Sequence, residues 1–180
     1  PDYAEDWHYH RLQLPEAERA WGDLRKLSID DAVEISQAYA SRLFQIALER
    51  QRRRKEDGAG GIFHFFAVDF WPSVTMAAVD FYRVPTKVHA TVGRSFEPVM
   101  ASVEYGRDTF KVGEKVTLPV WGINDYHRDL GQGEIRWKVG GISGVIPHHF
   151  AADSSRKAGE IVWSPVSAGR HELIVEVWIA

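Results

Sequence analysis

The 180-residue sequence predicts an α/β segment over residues 1–95 and an all-β sandwich over residues 96–180. Three features carry that division. A long amphipathic helix pattern runs into a glycine break and then an apolar run, Ile62 to Val68. From Phe96 onward the hydrophobic period changes to strict alternation. Glycine-rich turns separate the alternating stretches.

The helical third begins with LPEAERAWGDLRKL, where Pro15 suits a first turn and Glu16 and Glu18 sit near the positive helix end. SIDDAVEISQAYASRLFQIALERQRRRKE follows. Ser28 is the expected cap, with Asp31 three residues on as a carboxylate variant of the capping box. Ile29, Ala32, Val33, Ser36, Ala40, Leu43, Ile46 and Ala47 recur at three-and-four spacing and predict one apolar stripe. Arg52, Arg53, Arg54 and Lys55 fall at the negative helix end, and Glu49 and Glu56 beside them favour a solvated terminus over a nucleic-acid patch. DGAGG then stops the helix. Ile62 to Val68 is apolar on both faces except at His64, the pattern of a strand buried on both sides. Pro85 marks a further helix start, and TKVHATVGRSF reads as a short helix.

The second half reads as strands VMASVEY, KVTLPVWGI, GEIRWKV, EIVWSPV and HELIVEVWI. In EIRWKV, Ile135, Trp137 and Val139 share one face, and Glu134, Arg136 and Lys138 the other. HELIVEVWI places Leu173, Val175, Val177 and Ile179 together, with Ile174 and Trp178 on the outer face. Short alternating strands at this spacing predict a β-sandwich of immunoglobulin type.

Composition narrows the possibilities. Hydrophobic content of 44% and charged content of 26% are ordinary for a folded chain. A net charge of −3 supplies no general attraction for nucleic acid or an anionic membrane. No stretch approaches the roughly 20 apolar residues of a membrane helix. There is no cysteine, which removes disulfides and thiolate metal sites. Seven tryptophans are either core aromatics or platforms for flat ligands such as sugar rings. The opening PDYAEDWHYH has no basic and apolar regions of a signal peptide, and a start at Pro1 is expected of a piece cut from a longer chain.

An α/β unit with one doubly buried strand cannot close on itself, because its edges present unpaired N–H and C=O groups. Residues 1–95 are therefore expected to be the closing segment of a larger parallel structure. The residues Ser36-Gln37, Glu49-Arg50 through Arg54, Asp69, Trp71-Pro72, Ser73, Asp80-Phe81-Tyr82, Pro85, Lys87 and Phe96-Glu97-Pro98-Val99 make this specific. Together with Gly113-Glu114 and Asn124-Asp125, they resemble the C-terminal end of the barrel and the following domain in glycoside hydrolase family two, in the β-mannosidase and exo-glucosaminidase branch. Phe65 and Val68 depart from that pattern, standing where the family usually has a tryptophan and an asparagine.

The resemblance implies the terminal segment of a TIM (β/α)8 barrel, with Ile62 to Val68 as its last strand, followed by the immunoglobulin-like domain. It implies a retaining glycosidase parent whose two glutamates lie upstream of Pro1, so this chain alone is expected to hydrolyse nothing. Such enzymes need two carboxyl groups about 5 Å apart. Asp69 and Trp71 would rim the sugar pocket, with the aspartate accepting hydroxyl hydrogen bonds and the ring stacking on a pyranose. Two blander roles stay open beside these: Trp71-Pro72 plugging the rim, and Asp69 capping a turn. No catalytic residue, cofactor or metal is assigned. The expected partners are carbohydrate in the intact parent and the upstream barrel segment.

Other chemistry finds little support. His8 and His10 would share a face if extended, but no third ligand is near. His148-His149 read as surface histidines. GGISGV has glycine at the wrong offset from Ser143 for a nucleophile elbow, and GAGG precedes a strand rather than a helix, unlike a phosphate cradle. Two alternatives to the glycosidase reading remain. One is a non-catalytic module presenting Trp121, Trp163 or Trp178 to carbohydrate or protein. The other is a swapped homo-oligomer completing the open α/β edge.

Overall fold

Ser28 starts the longest helix as its position predicts. The backbone N–H of Asp31 donates to Ser28 Oγ at 3.1 Å, and the hydroxyl donates onward to Asp31 Oδ2 at 2.7 Å, satisfying one free amide of the first turn. This is helix α3, Ile29–Arg53, in a computed structural model that describes residues 3–23 and 26–179. Before it come α1 (Tyr3–Tyr9) and α2 (Leu14–Trp21), and after it a 3₁₀ turn (Lys55–Asp57) and α4 (Lys87–Ser95). Six strands follow: β1 (Val99–Val103), β2 (Val116–Asn124), β3 (Gln132–Val139), β4 (Ile142–His149), β5 (Ser154–Trp163) and β6 (Leu173–Ile179). The chain divides into two units, Pro1–Leu48 with Ile62–Phe96, and Glu49–Gly61 with Glu97–Ala180.

The first unit is helical with two small apolar clusters. One gathers Leu12 and Ala17 with Trp7, Trp21, Leu27 and Val74. The other packs Ala40 against Ala78 and Val88, with Phe44 and Val92 beside them. Polar ties join α3 to α4: Ser41 and Thr91 share a hydrogen bond at 2.6 Å, and the Lys87 amide donates to Gln37 Oε1 at 3.2 Å. The apolar stripe expected along α3 is buried only in part. Ala32 and Ala40 are inside, whereas Ile29, Val33, Leu43 and Ile46 are exposed. Small residues make the close contacts here because α4 approaches the Ala40 side, and the larger side chains point away from it.

Ile62 to Val68 does not form the doubly buried strand that its composition predicts. It makes one parallel bridge, Val68 with Val79, and the Val79 amide donates to Ala67 O at 3.0 Å. Phe63 and Phe65 are 93% and 87% exposed, while Ile62, His64 and Phe66 on the opposite side are half-buried. Continuous hydrophobicity makes a strand only where ladders exist on both edges. In this unit the run's backbone bonds only Ala78 and Val79 on one edge, and one of its faces stays open to solvent.

The second unit is a sandwich of two antiparallel three-stranded sheets, ordered β1-β2-β5 and β4-β3-β6. Val116, Leu118, Val120 and Ile161 from one sheet meet Ile135 and Val139 from the other, with Phe150 fully enclosed among them. Val175 and Val177 add the core side of β6, as the alternation in HELIVEVWI predicts. Gly140 and Gly141, at φ 54° and 84°, supply the two left-handed residues that a tight β3–β4 hairpin requires. Asn124 knots the end of β2. Its Nδ2 donates to the carbonyls of Arg128, Phe150 and Ala151 at 2.9–3.2 Å, and its Oδ1 accepts from the Tyr126 amide at 2.9 Å.

The basic run ending α3 is not the solvated terminus that its charge suggested. Arg52 and Arg53 are each 9% exposed and lie on the outer face of the β1-β2-β5 sheet. Arg52 Nη2 donates to Glu97 O and to Asp125 Oδ2, both at 2.8 Å. Arg53 Nη1 donates to Ser102 Oγ at 2.6 Å, and that hydroxyl donates to Glu49 Oε2 at 2.7 Å. Lys55 bonds Asp125 at 3.0 Å and pairs with Asp153. Arg52 and Arg53 are buried because groups in and beside the sheet supply their acceptors, which charge patterning along one helix cannot reveal, whereas Arg54 is exposed as the charge pattern suggested. Burial pulls the Arg53 guanidinium below its ordinary pKa, opposed by the carboxylates of Glu104 and Glu49.

Candidate functional site

Asp69 and Trp71 leave the end of the apolar run on a loop that doubles back through Asp80 to Val84. Asp69 is 5% exposed. Its Oδ1 accepts from Thr75 Oγ1 at 2.7 Å and from Ser73 Oγ at a long 3.4 Å, so the carboxylate gathers its own loop around it. Its main chain is also tied, with the amide donating to Val79 O at 3.0 Å and the carbonyl accepting from Arg83 Nη1 at 3.2 Å.

Trp71 is half-buried. The His10 ring stacks on it at 5.5 Å and 24°, and Tyr9 meets it edge-on at 6.4 Å. His10 Nδ1 lies 2.6 Å from Pro72 O, and the Val74 amide donates to His10 O at 2.7 Å. The segment after α1 therefore backs the Trp71-Pro72 turn. Nothing in periodicity points to this pairing across 62 positions.

Asp80 plays a role parallel to that of Asp69. Its Oδ1 accepts from the Val84 amide at 2.8 Å, its own amide donates to Val84 O at 3.0 Å, and the Arg83 amide donates to Asp80 O at 3.0 Å. This closes a tight turn in which Arg83 takes φ 70°, an uncommon conformation for a residue with a side chain. Sequence reading did not find that strained position. The only hint is that Asp80-Phe81-Tyr82-Arg83 spans two apolar segments with an aspartate at its start. Two aspartates thus fix the loop from inside, and the outward residues are aromatic. Phe70 and Tyr82 are exposed, as are Phe63 and Phe65 on the preceding run. Phe65 meets Phe66 at 4.4 Å, and Phe66 meets Phe70 at 5.9 Å. Chemically this is an apolar, ring-bearing surface suited to stacking on flat faces.

The other sequence candidates are dispersed. His8 lies on helix α1 rather than on an extended segment, and among the described residues no three metal-binding side chains converge. Ser143 lies within strand β4, without the strand-turn-helix setting of a nucleophile. His149 pairs with Asp129 at 2.9 Å. His148 is turned inward against Phe150 at 4.8 Å, its Nε2 buried without a partner. Burial holds the His148 imidazole below its ordinary pKa, and the nearby charges of His149 and Arg156 push the same way. Of the three sandwich tryptophans named above, Trp121 and Trp163 are half-buried. Only Trp178 is open, and the Arg136 guanidinium covers its ring at 4.3 Å.

No protein-family model matches the sequence, and no curated protein matches it. Among solved structures, the chain is similar to the β-D-mannosidase from Dictyoglomus thermophilum, with a TM-score of 0.65 and 20% identity. The match covers 84% of this chain and 18% of that one, so the chain spans less than a fifth of the enzyme's length. The two share a fold over that stretch.

Proposed function

We propose that this chain is the closing part of a β-mannosidase-like glycoside hydrolase of family two. In this reading residues 1–95 end a (β/α)8 barrel, and residues 96–180 form an immunoglobulin-like domain that braces it. The intact parent cleaves β-glycosidic bonds with retention, using two glutamates outside this chain, and the chain alone is inactive.

The observation that carries the reading is the state of Ile62 to Val68, an apolar run with Phe63 and Phe65 at 93% and 87% exposure and one bridge in place of a ladder. Burying each phenylalanine is worth about 1.5–3 kcal/mol, so a run of this kind is stable only against further apolar surface. A strand between two barrel neighbours has that surface on both faces. The fold shared with part of a β-mannosidase supports the same placement.

Barrel enzymes keep their chemistry at the C-terminal ends of the strands, where Asp69 and Trp71 stand in this reading. Trp71 then faces the sugar, and Asp69 holds the loop through Thr75 while contributing to the polar rim. The test replaces each with alanine in the full-length parent and measures kcat/KM on an aryl β-mannoside. Both variants are expected to lose activity while the sandwich keeps its thermal transition. Unchanged kinetics in both would remove the pocket role. Oligosaccharide binding by the chain on its own would favour the non-catalytic module instead.

A further inference from the structure

Helix α1 ends in a turn that fixes the residue at its end. The Leu12 amide donates to Trp7 O at 2.8 Å and the Arg11 amide to His8 O at 3.0 Å, the paired bonds of a Schellman motif. Arg11 takes φ 75° at the position where glycine is usual. Leu12 and Trp7 belong to one apolar cluster, the contact that accompanies such motifs. His10, at the end of the helix, is therefore held by its own backbone before it meets anything else.

It meets the Trp71 turn at three points. Its carbonyl accepts from the Val74 amide at 2.7 Å, its Nδ1 lies 2.6 Å from Pro72 O, and its ring stacks on the indole at 5.5 Å and 24°. A carbonyl oxygen only accepts, so Nδ1 carries the proton, and that bond sets both the tautomer and the plane of the ring. Pro72 has no N–H with which the turn could tie itself. Tyr9 stands edge-on to both rings, 6.4 Å from Trp71 and 5.1 Å from His10.

We propose that His10 is the positioning residue for Trp71. It occupies one face of the indole and fixes its plane, so that a sugar ring can stack only on the opposite face, away from α1. The proposal rests on the reading of Trp71 as a sugar platform. An indole side chain turns about two bonds, and a ligand stacking on an unbraced ring would have to still both. The His10 brace orders the ring before the ligand arrives. His10 itself does not touch the ligand and acts through Trp71 alone.

The test is a double-mutant cycle in the full-length parent, read as kcat/KM on an aryl β-mannoside, with the Trp71 indole N–H resonance followed in this chain. Trp71→Ala and His10→Ala should each lower kcat/KM, the second by about 2- to 12-fold, the worth of one ring pair. In the Trp71→Ala background, His10→Ala should change nothing further, because its effect has no other route. His10→Asn keeps a donor near the Nδ1 position without the ring and should recover part of the loss. In this chain, His10→Ala should move the Trp71 resonance and leave those of Trp121, Trp163 and Trp178 in place. Unchanged kinetics in His10→Ala with an impaired Trp71→Ala overturns the positioning role and leaves the platform reading standing. A further loss when His10→Ala is added to Trp71→Ala also overturns it, since His10 then acts by another path. An unimpaired Trp71→Ala overturns the platform reading, and the positioning role goes with it.

Discussion

Replacing Arg53 with methionine isolates the buried charge relay on the outer face of the β1-β2-β5 sheet. Arg53 reaches Glu49 directly only at 3.9 Å, and the short links run through Ser102, at 2.6 and 2.7 Å. The side chains of Arg53 and Glu49 are 9% and 8% exposed, so solvent screens little of their interaction. Arg53→Met leaves the Glu49 carboxylate buried with one hydroxyl for company, a loss of about 3–5 kcal/mol. Glu49→Leu costs less, about 1–3 kcal/mol, because the Glu104 carboxylate still attracts the guanidinium. The double variant removes both charges and fills the volume with apolar groups, which is often neutral or stabilising. Urea unfolding, followed by amide exchange in β1 and β2, separates these outcomes. For a urea slope of about 1–3 kcal/mol/M, a 3 kcal/mol loss moves the midpoint by about 1–3 M. A single variant that costs under about 1 kcal/mol, or a double that costs the sum of the singles, would refute the relay.

Three further outcomes are expected. The folded pKa of His148 is depressed, so its stabilising share is complete above the ordinary imidazole value of about 6.5 and is lost as pH falls through the lowered folded value. His148→Phe should therefore flatten the acid-side slope of sandwich stability below about pH 6.5, as read by thermal melts at stepped pH. A Cβ on Gly122 would meet the His148 ring at 2.2 Å, so Gly122→Ala should cost about 1–3 kcal/mol in denaturant titration, and His148→Ala in the same chain should recover most of it. Ser28→Ala removes the cap of α3 and should cost about 0.5–2 kcal/mol, read as faster amide exchange in residues 30–32 with the sandwich unchanged.

How far these elements were readable from sequence depended on whether their partners are local. β3 and β6 are legible because each alternates against one core, and Ile135, Val139, Val175 and Val177 fall inward as their spacing requires. The Ser28 start of α3 is legible because cap and capped amide lie three residues apart. β4 escaped notice because ISGVIPHH interrupts its alternation with glycine and proline. The first half of β5 escaped because Ser154 and Ser155 are polar yet buried. Arg52 and Arg53 misled for a related reason, as their acceptors Glu97, Ser102 and Asp125 lie 45 to 73 residues away. In the candidate site the loop aspartates and Trp71 stand out by composition, but their true neighbours, Thr75 and His10, are set by how the chain folds back. Ile62 to Val68 shows the limit in the other direction. Its composition describes an environment that the described residues supply on one side only.

Asn124 gives the sandwich an unusual kind of vulnerability. One carboxamide faces three carbonyl oxygens with its nitrogen and one amide with its oxygen. Hydrolysis of that group to aspartate would alter its outline by almost nothing while turning a donor into an acceptor, so three attractions would become three repulsions at one point. Ageing of the protein would then be expected to show first as a loosening where the loop after β2 meets the turn before β5, with the apolar interior still intact.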